Sequence, residues 1–418
     1  MAAGREQAIE RSPGRSRFPR DFWLYVASRF CTATESMLLR AAVAWHVYAL
    51  SGSAFHLGLI GLVQFLPTPA LTLVGGALAD AHDRRRIMMI AQLVPLGCSV
   101  ALCLATRAGV ASLPVLYGMI LLVAVASAFE NPARASLLPA LVRREVFPRA
   151  MTIAATNQAL AFTTGPAVAG LLIAAAGVGM AYALSALLVT ASLAALTRLR
   201  SPKPEAARAG IRWQAIREGL GFVWRSEVIL GCMALDMFAV IFGGAAALLP
   251  IYATDILHVG ARGYGTLASS FEVGALVASA VLIARRPITR AGPALLVTVA
   301  VYGIATVAFG LSRSFPLSVC AYAAAGMADQ VSVVLRNTVI QLAAPDALRG
   351  RVSAVNMIFI GASNQLGAAE SGFVAALTSA TFSVVSGGLG CLVVVAIVAA
   401  RWPRLRRYRI DERLSGRG

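Results

Sequence analysis

Twelve long apolar stretches dominate the chain, and each approaches or exceeds the roughly 20 residues that one helical crossing of a bilayer requires. They run over 22–50, 56–79, 87–106, 112–131, 150–176, 180–198, 227–253, 263–284, 292–311, 316–340, 350–378 and 382–400. Inside hydrocarbon no water meets a free N–H or C=O, so each segment must close its own backbone hydrogen bonds. Runs of this length do so as helices, whereas a membrane β-barrel would show ten-residue alternations of apolar and polar positions. Composition points the same way: 13% charged residues and a mean hydropathy of +0.74 over 418 residues leave too little polar surface to cover a globule in water. The fold class is therefore an all-α membrane protein with twelve transmembrane helices.

The placement of charge orients such a chain. Of 37 basic residues, 31 fall in the two tails and the connections that share their side of the membrane. The opposite loops hold only Arg107, Arg262 and Arg313, and Arg29, Arg40 and Arg336 lie inside spans. The positive-inside rule then puts both termini in the cytoplasm, as in a multi-pass protein of a bacterial-type inner membrane. The net charge of +18 finds its partner in anionic lipid headgroups rather than in nucleic acid. All six cysteines, Cys31, Cys98, Cys103, Cys232, Cys320 and Cys391, sit in spans without a CxxC and read as small core residues. Arg29, Glu35 and Arg40 interrupt the first span, which argues for a retained first helix rather than a cleaved leader.

Six spans and six spans suggest duplication. At an offset of 202 residues, Arg149, Gly165 and Gly170 fall on Arg351, Gly367 and Gly372, and the same register carries Arg84 onto Arg286 and Arg134 onto Arg336. The organisation expected is a cytoplasmic tail (1–21), a six-helix bundle (22–198), a cytoplasmic linker (199–226), a second bundle (227–400) and a basic tail (401–418). Pro202 and Pro204 break helix in the linker, and Trp213, Ile216, Leu220, Val223 and Trp224 then gather on one side of a helix, the pattern of a segment lying on the membrane surface.

One polar interruption carries more than orientation. Residues 76–88 read GALADAHDRRRIM, and Gly76, Leu78, Asp80, Arg84 and Arg85 match the GxLaDrxGrk signature between helices 2 and 3 of the major facilitator superfamily, which this chain resembles. Asp83 departs from it, standing where the pattern has glycine. WHVYALSGS (45–53), NPARASLLPALV (131–142), ALLPIYATDIL (247–257) and PDALRGRVSAVNMIFIGASNQLGAAESG (345–372) resemble a narrower branch, that of the enterobactin exporter and macrolide efflux proteins. The resemblance implies two pseudo-symmetric bundles working by alternating access. It also implies a latch for the outward-open state, with Asp80 against the start of helix 11 at 348–351, and Arg84 facing Glu130 at the end of helix 4. By itself, the arginine run also orients the loop and meets phospholipid.

An ionised side chain at mid-bilayer costs at least about 2.5–3.5 kcal/mol, so each one needs a reason. Static ion pairs are one reason; titration is another. Glu35, Asp329 and Glu370 are the leading candidates for proton coupling, Asp236 serves either coupling or the gate, and Glu272 matches nothing in the branch. Arg336, near the end of its span, is expected to snorkel to the headgroups. Arg29 and Arg40 share a face of helix 1, with Glu35 about 120–140° away, so no salt bridge should form along that helix. In helix 5, Gly165, Pro166 and Gly170 resemble the GPxxGG antiporter signature, with Ala169 replacing one glycine, and small residues there would pack closely on helix 8. Gln64, Asn157, Gln158, Asn364 and Gln365 are the candidate substrate-cavity residues.

The function expected is proton-coupled efflux of an amphipathic organic compound, a siderophore or a macrolide-like drug, with proton-coupled uptake as the alternative and a non-transporting sensor as a remote one. No cofactor is expected beyond the proton gradient, and no metal: His46, His56, His82 and His258 fall near helix ends without ligand spacing. The chain is expected to act as a monomer and not as an enzyme. Its only lysine, Lys203, lies in SPKPE, which excludes a GxxxxGK[ST] nucleotide loop, and no GxSxG nucleophile motif occurs.

Overall fold

The computed structural model describes residues 18–200, 213–285, 288–345 and 348–410. Among these, the first half contains α1 (Arg20–Ser51), α2 (Ala54–Phe65), α3 (Thr68–Ala81), α4 (Arg84–Arg107), α5 (Leu113–Leu141), α6 (Phe147–Ala176) and α7 (Val178–Arg198). A linker helix, α8 (Trp213–Arg225), leads to α9 (Glu227–Phe242), α10 (Leu249–Ile251), α11 (Gly260–Ala284), α12 (Ala291–Leu311), α13 (Phe315–Ala343), α14 (Arg349–Leu377), α15 (Ala380–Arg401) and α16 (Pro403–Arg406). They make twelve crossings, because α2 and α3 share the second, and α9, α10 and the π-turn Tyr252–Ile256 share the seventh. Nine crossings satisfy length and hydropathy outright. The other three are α1, which carries Arg29, Glu35 and Arg40, the split second span, and α14 with its several polar residues.

Three irregularities have local causes. Pro67 and Pro69 each lack an amide N–H, so the second span breaks after Phe65 and Leu66 turns outward, 75% exposed. The seventh span unwinds at Gly243, whose carbonyl accepts Tyr302 Oη at 2.9 Å, and Gly244 lies so close to α14 that a Cβ would stand 2.5 Å from the Gly367 carbonyl. Third, α5 continues about ten residues beyond the apolar run that announces it. Ala133, Leu137, Leu138 and Leu141 form an apolar stripe there, buried against Phe22, Ile87 and Met88.

The first bundle is held by α1 packed on α6 and α7, with α4 on α5 and α7; the second pairs α11 with α13, α12 with α13 and α15, and α9 with α14. Between bundles the principal seams are α2 on α14 and α6 on α11. Both seams lie in the half of the molecule away from the termini. A Cβ at Gly372 would fall 2.3 Å from Gly58 Cα, and one at Gly170 would fall 2.6 Å from Gly265 Cα. Across the same half, Tyr48 Oη donates to Asp255, Tyr264 Oη donates to the Ala41 carbonyl at 3.1 Å, and Trp45 packs on Tyr264. Nearer the termini, α3 packs on α5 of its own bundle, so the cleft opens on the terminus-bearing face.

On that face Asp21 accepts the Arg200 N–H at 3.1 Å, joining the two ends of the first bundle, and Glu227 accepts the Arg404 N–H at 3.1 Å in the second. Helix α8 packs on α9 and α14, with Glu218 paired to Arg351. The apolar stripe read in the linker is divided: Val223 and Leu220 join the second bundle's core, Trp224 is exposed, and residues 201–212 with the side chains of Trp213 and Ile216 lie outside the described residues.

Candidate substrate cavity and gates

A cavity of 390 Å³ opens on the inner side of the first bundle, walled by α1, α2, α4, α5 and α6 with Val189 of α7, and the second bundle borders it only through Gly361 and Gln365 of α14. Gln64, Gln158 and Gln365 line it, together with Glu35, Arg29 and Arg40. Asn157 does not: its Nδ2 donates to the Val26 carbonyl at 3.2 Å and ties α6 to α1. Asn364 bonds within its own helix, to the Ile360 carbonyl at 2.9 Å. Sequence periodicity gives a residue's depth but not which neighbour takes its amide, and that separates these two from the three glutamines.

Glu35 is buried and accepts Ser185 Oγ at 3.0 Å, with Ser99 behind it at 2.8 Å. Its hydrogen-bond partner is therefore on α7, and no ion pair to Arg29 or Arg40 forms. Below it Gln92 donates to Glu130 at 3.1 Å and accepts from Ser192 at 2.9 Å, and Ser192 meets Ser28 at 2.7 Å. Gln92 and Arg134, both on the cavity wall, are missing from the sequence-derived set. Gln92 carries the same signal as Gln64, a polar group within an apolar run. Arg134 reads as a loop residue because α5 outlasts its apolar run.

Asp329 and Glu370 are not among the cavity-wall residues. Asp329 stands on α13, which packs on α11, the helix that carries Glu272. Glu370 is half-buried and accepts a hydrogen bond from the adjacent Ser371 at 3.3 Å. Asp236 pairs with Arg336. That corrects the snorkelling expected of Arg336: its side chain is 2% exposed, locked between α9 and α13 by a carboxylate contributed from another span.

The 76–88 stretch binds its own bundle. Asp83 caps α4, its Oδ1 accepting the Arg85 N–H at 2.9 Å, which explains a carboxylate where the signature has glycine. Arg85 donates to the Leu196 and Thr197 carbonyls, each at 2.6 Å, satisfying the last free acceptors of α7. Arg84 does reach the end of α5, yet it donates to the Ser136 carbonyl at 3.0 Å rather than to Glu130, which Gln92 occupies. Gly76 has open space where a Cβ would stand, and the side chain of Asp80 lies outside the described residues.

In α6, Gly165 packs on Thr34, Met37 and Leu38 of α1, and Gly170 on Ala261 and Gly265 of α11, the eighth span. Pro166 lies within the continuous helix.

Two six-helix bundles meeting along small-residue seams on one face, with a cavity carrying charged side chains where the first bundle faces the second, define a membrane transporter of the major facilitator type. Solved structures of the same fold include a bacterial homolog to the human lysosomal transporter Spinster, in an inward-facing and unoccupied conformation, with a TM-score of 0.71 and 14% identity over 94% of this chain and 98% of that one. A nucleoside transporter, NupG, gives 0.73 and 11% over 91% and 99%. The family model described as transmembrane secretion effector (MFS_3) matches residues 13–413, and the chain belongs to that family of the major facilitator superfamily. Among curated proteins it is 26% identical over 384 residues to the enterobactin exporter EntS of Escherichia coli O139:H28 (strain E24377A / ETEC), covering 91% of this chain and 92% of that protein. The same figures hold for the Escherichia fergusonii protein. Family and relatives are transporters, not enzymes.

Proposed function

We propose that the protein is a proton-coupled exporter of an amphipathic organic compound, of the siderophore or macrolide-like class, working by alternating access. The observation that carries this reading is the cavity on the inner side of the first bundle, with charged and apolar side chains on its wall and α14 of the second bundle at its border, closed on one face by seams that leave no room for a methyl group. Likeness to an enterobactin exporter supports the outward direction. With 31 of 37 basic residues on the terminus-bearing side, that face is assigned to the cytoplasm of a bacterial-type inner membrane, with anionic headgroups as counter-charge. The cleft then faces the compartment from which an exporter loads.

Glu35 is the first proton carrier in this reading, being the one of the four coupling candidates that lines the cavity. Asp329, on the helix that packs against α11 and its Glu272, is the second. Asp236 is engaged by Arg336, and Glu370 accepts from the adjacent Ser371, so both rank behind. The opening and closing of the two seams move as rigid-body rocking of one bundle against the other. The protein needs no cofactor beyond the proton gradient and works as a monomer.

The test is accumulation by cells lacking and overproducing the protein, followed by transport in proteoliposomes against an imposed pH gradient. Uphill movement of compound opposite to the proton flow supports export by antiport. Movement with the proton flow establishes uptake instead, and absence of flux for every compound class refutes the transporter reading.

A further inference from the structure

Three arginines line the cavity from inside the first bundle, Arg29 and Arg40 from α1 and Arg134 from α5, against two carboxylates, Glu35 and Glu130. Both carboxylates take their hydrogen bonds from other groups than these arginines. Glu35 is engaged by Ser185 at 3.0 Å, and Glu130 by Gln92 at 3.1 Å, both neutral donors. Among the described residues neither carboxylate forms an ion pair with these arginines.

Arg29 makes only two long contacts, to Gln158 Oε1 at 3.3 Å and Thr32 Oγ1 at 3.4 Å, and the Arg134 guanidinium makes none. The two stand at one level of the cavity: Tyr25, one turn from Arg29 on α1, donates to the Arg134 carbonyl at 3.4 Å. Arg336, the repeat mate of Arg134, shows the other solution: it is buried on the Asp236 carboxylate. Arg40 also makes no hydrogen bond or ion pair among the described residues, but it stands eleven residues farther along α1, about 16 Å at 1.5 Å per residue, which leaves Arg29 and Arg134 as the pair on the terminus-side part of the wall. A guanidinium stays ionised and presents its N–H groups in a planar fork. Two such forks sharing the single carboxylate of Glu130, which Gln92 already engages, are one charge in excess and are stabilised by an oxyanion that accepts from both.

We propose that the cavity takes an oxyanion, an amphipathic carboxylate, phosphate or sulfonate, with its acidic group held between Arg29 and Arg134 and its apolar part on the wall that includes Ile60, Met119 and Phe162. This deepens the efflux reading by assigning an anionic class of cargo, and it rests on that reading only for the word cargo.

The test uses the full chain in phosphatidylcholine nanodiscs and three matched fluorescent probes: 11-(dansylamino)undecanoic acid, its methyl ester, and an amine of the same length. The acid should bind at least about tenfold more tightly than the ester, the scale of one or two charge-assisted hydrogen bonds, and the amine no better than the ester. Arg29→Gln with Arg134→Gln should abolish the acid's advantage and leave ester binding unchanged, while Arg29→Lys keeps most of it. Equal binding of acid and ester to the unsubstituted protein overturns the proposal without recourse to any variant. So does tighter binding of the amine, or an acid preference that survives in the double variant.

The same chemistry could reside in a lipid headgroup. Repeating the titration with phosphatidylglycerol nanodiscs separates the two: undiminished acid binding supports a cargo site, and loss of it assigns the arginines to lipid and overturns the cargo site. PH-driven flux is measured independently with all three probes. Flux of neutral or cationic probes without selective acid binding sinks the oxyanion site and leaves efflux standing, whereas acid binding without flux of any probe does the reverse.

Discussion

A methyl group at Gly372 should open the closed face of the molecule. The added Cβ would stand 2.3 Å from both Gly58 Cα and Gly58 N, and 3.0 Å from the Ala54 carbonyl. These are backbone atoms of a packed helix, so no side-chain rotation relieves the contact; α2 and α14 must separate by about an ångström or more. Overpacking of this kind costs about 1–3 kcal/mol, and the cost falls only on the conformer in which the seam is shut. The ratio of the two conformers therefore moves by roughly five- to 150-fold toward the one open on the far face. Ile60, a cavity-wall residue of α2, is the reporter. In a chain whose six native cysteines are replaced, Ile60→Cys is alkylated by an impermeant maleimide applied from the face remote from the termini. Labelling should be slow in that parent and at least severalfold faster with Gly372→Ala. Gly97→Ala, where a Cβ meets nothing within 4 Å, should leave the rate unchanged. Equal rates in the parent and in folded, monodisperse Gly372→Ala would refute the assignment of this seam as the closed gate.

Glu35→Gln keeps a group that can accept from Ser185 but removes titration, so uphill pH-driven transport should disappear while compound binding persists; unchanged accumulation would exclude Glu35 as the carrier. Arg336→Leu strands the Asp236 carboxylate and should lower stability by about 3–5 kcal/mol, with Arg336→Leu/Asp236→Asn recovering much of the loss in a thermal-unfolding assay. Were Arg336 merely snorkelling, the single change would be mild. Asp83→Ala removes the cap of α4 and should cost about 1 kcal/mol, whereas Asp83→Gly, restoring the signature residue, should cost only a few tenths.

How far the sequence carries depends on the kind of information each residue holds. Apolar runs mark the crossings to within a few residues because the bilayer imposes a length that local composition must meet. The end of α5 escapes such a reading, since Leu137 and Leu141 are buried by helices distant in sequence rather than by lipid. Polar residues inside apolar runs are conspicuous for the same reason the runs are, so Glu35, Gln64, Gln158 and Gln365 stand out and reach the cavity. Which way a polar group turns is set by its neighbour. Asn157 is taken by Val26 and Arg336 by Asp236, and neither pairing has a trace in local sequence. Arg84 shows the intermediate case, in which the partner helix is foreseeable but the accepting atom, the Ser136 carbonyl, is not.

The internal repeat turns out to have a physical meaning beyond shared ancestry of pattern. Gly165 packs on α1, the first crossing of its bundle, and its mate Gly367 packs on α9, the first crossing of the other. Gly170 meets α11, the second crossing of the opposite bundle, and its mate Gly372 meets α2, the second crossing of the first. Each glycine pair thus makes one contact that fixes a helix inside its bundle and one that joins the bundles, exchanged by the same pseudo-two-fold relation. Only Gly170 and Gly372 lie in contacts that must part when the cleft changes sides. The other two sit in contacts that can persist through the motion. The charged positions do not keep this symmetry: Arg336 is buried on Asp236, whereas Arg134 faces the cavity without an ion pair. A duplicated scaffold has kept its hinging contacts equivalent while letting one half close its arginine into structure and the other leave it open to whatever enters the cleft.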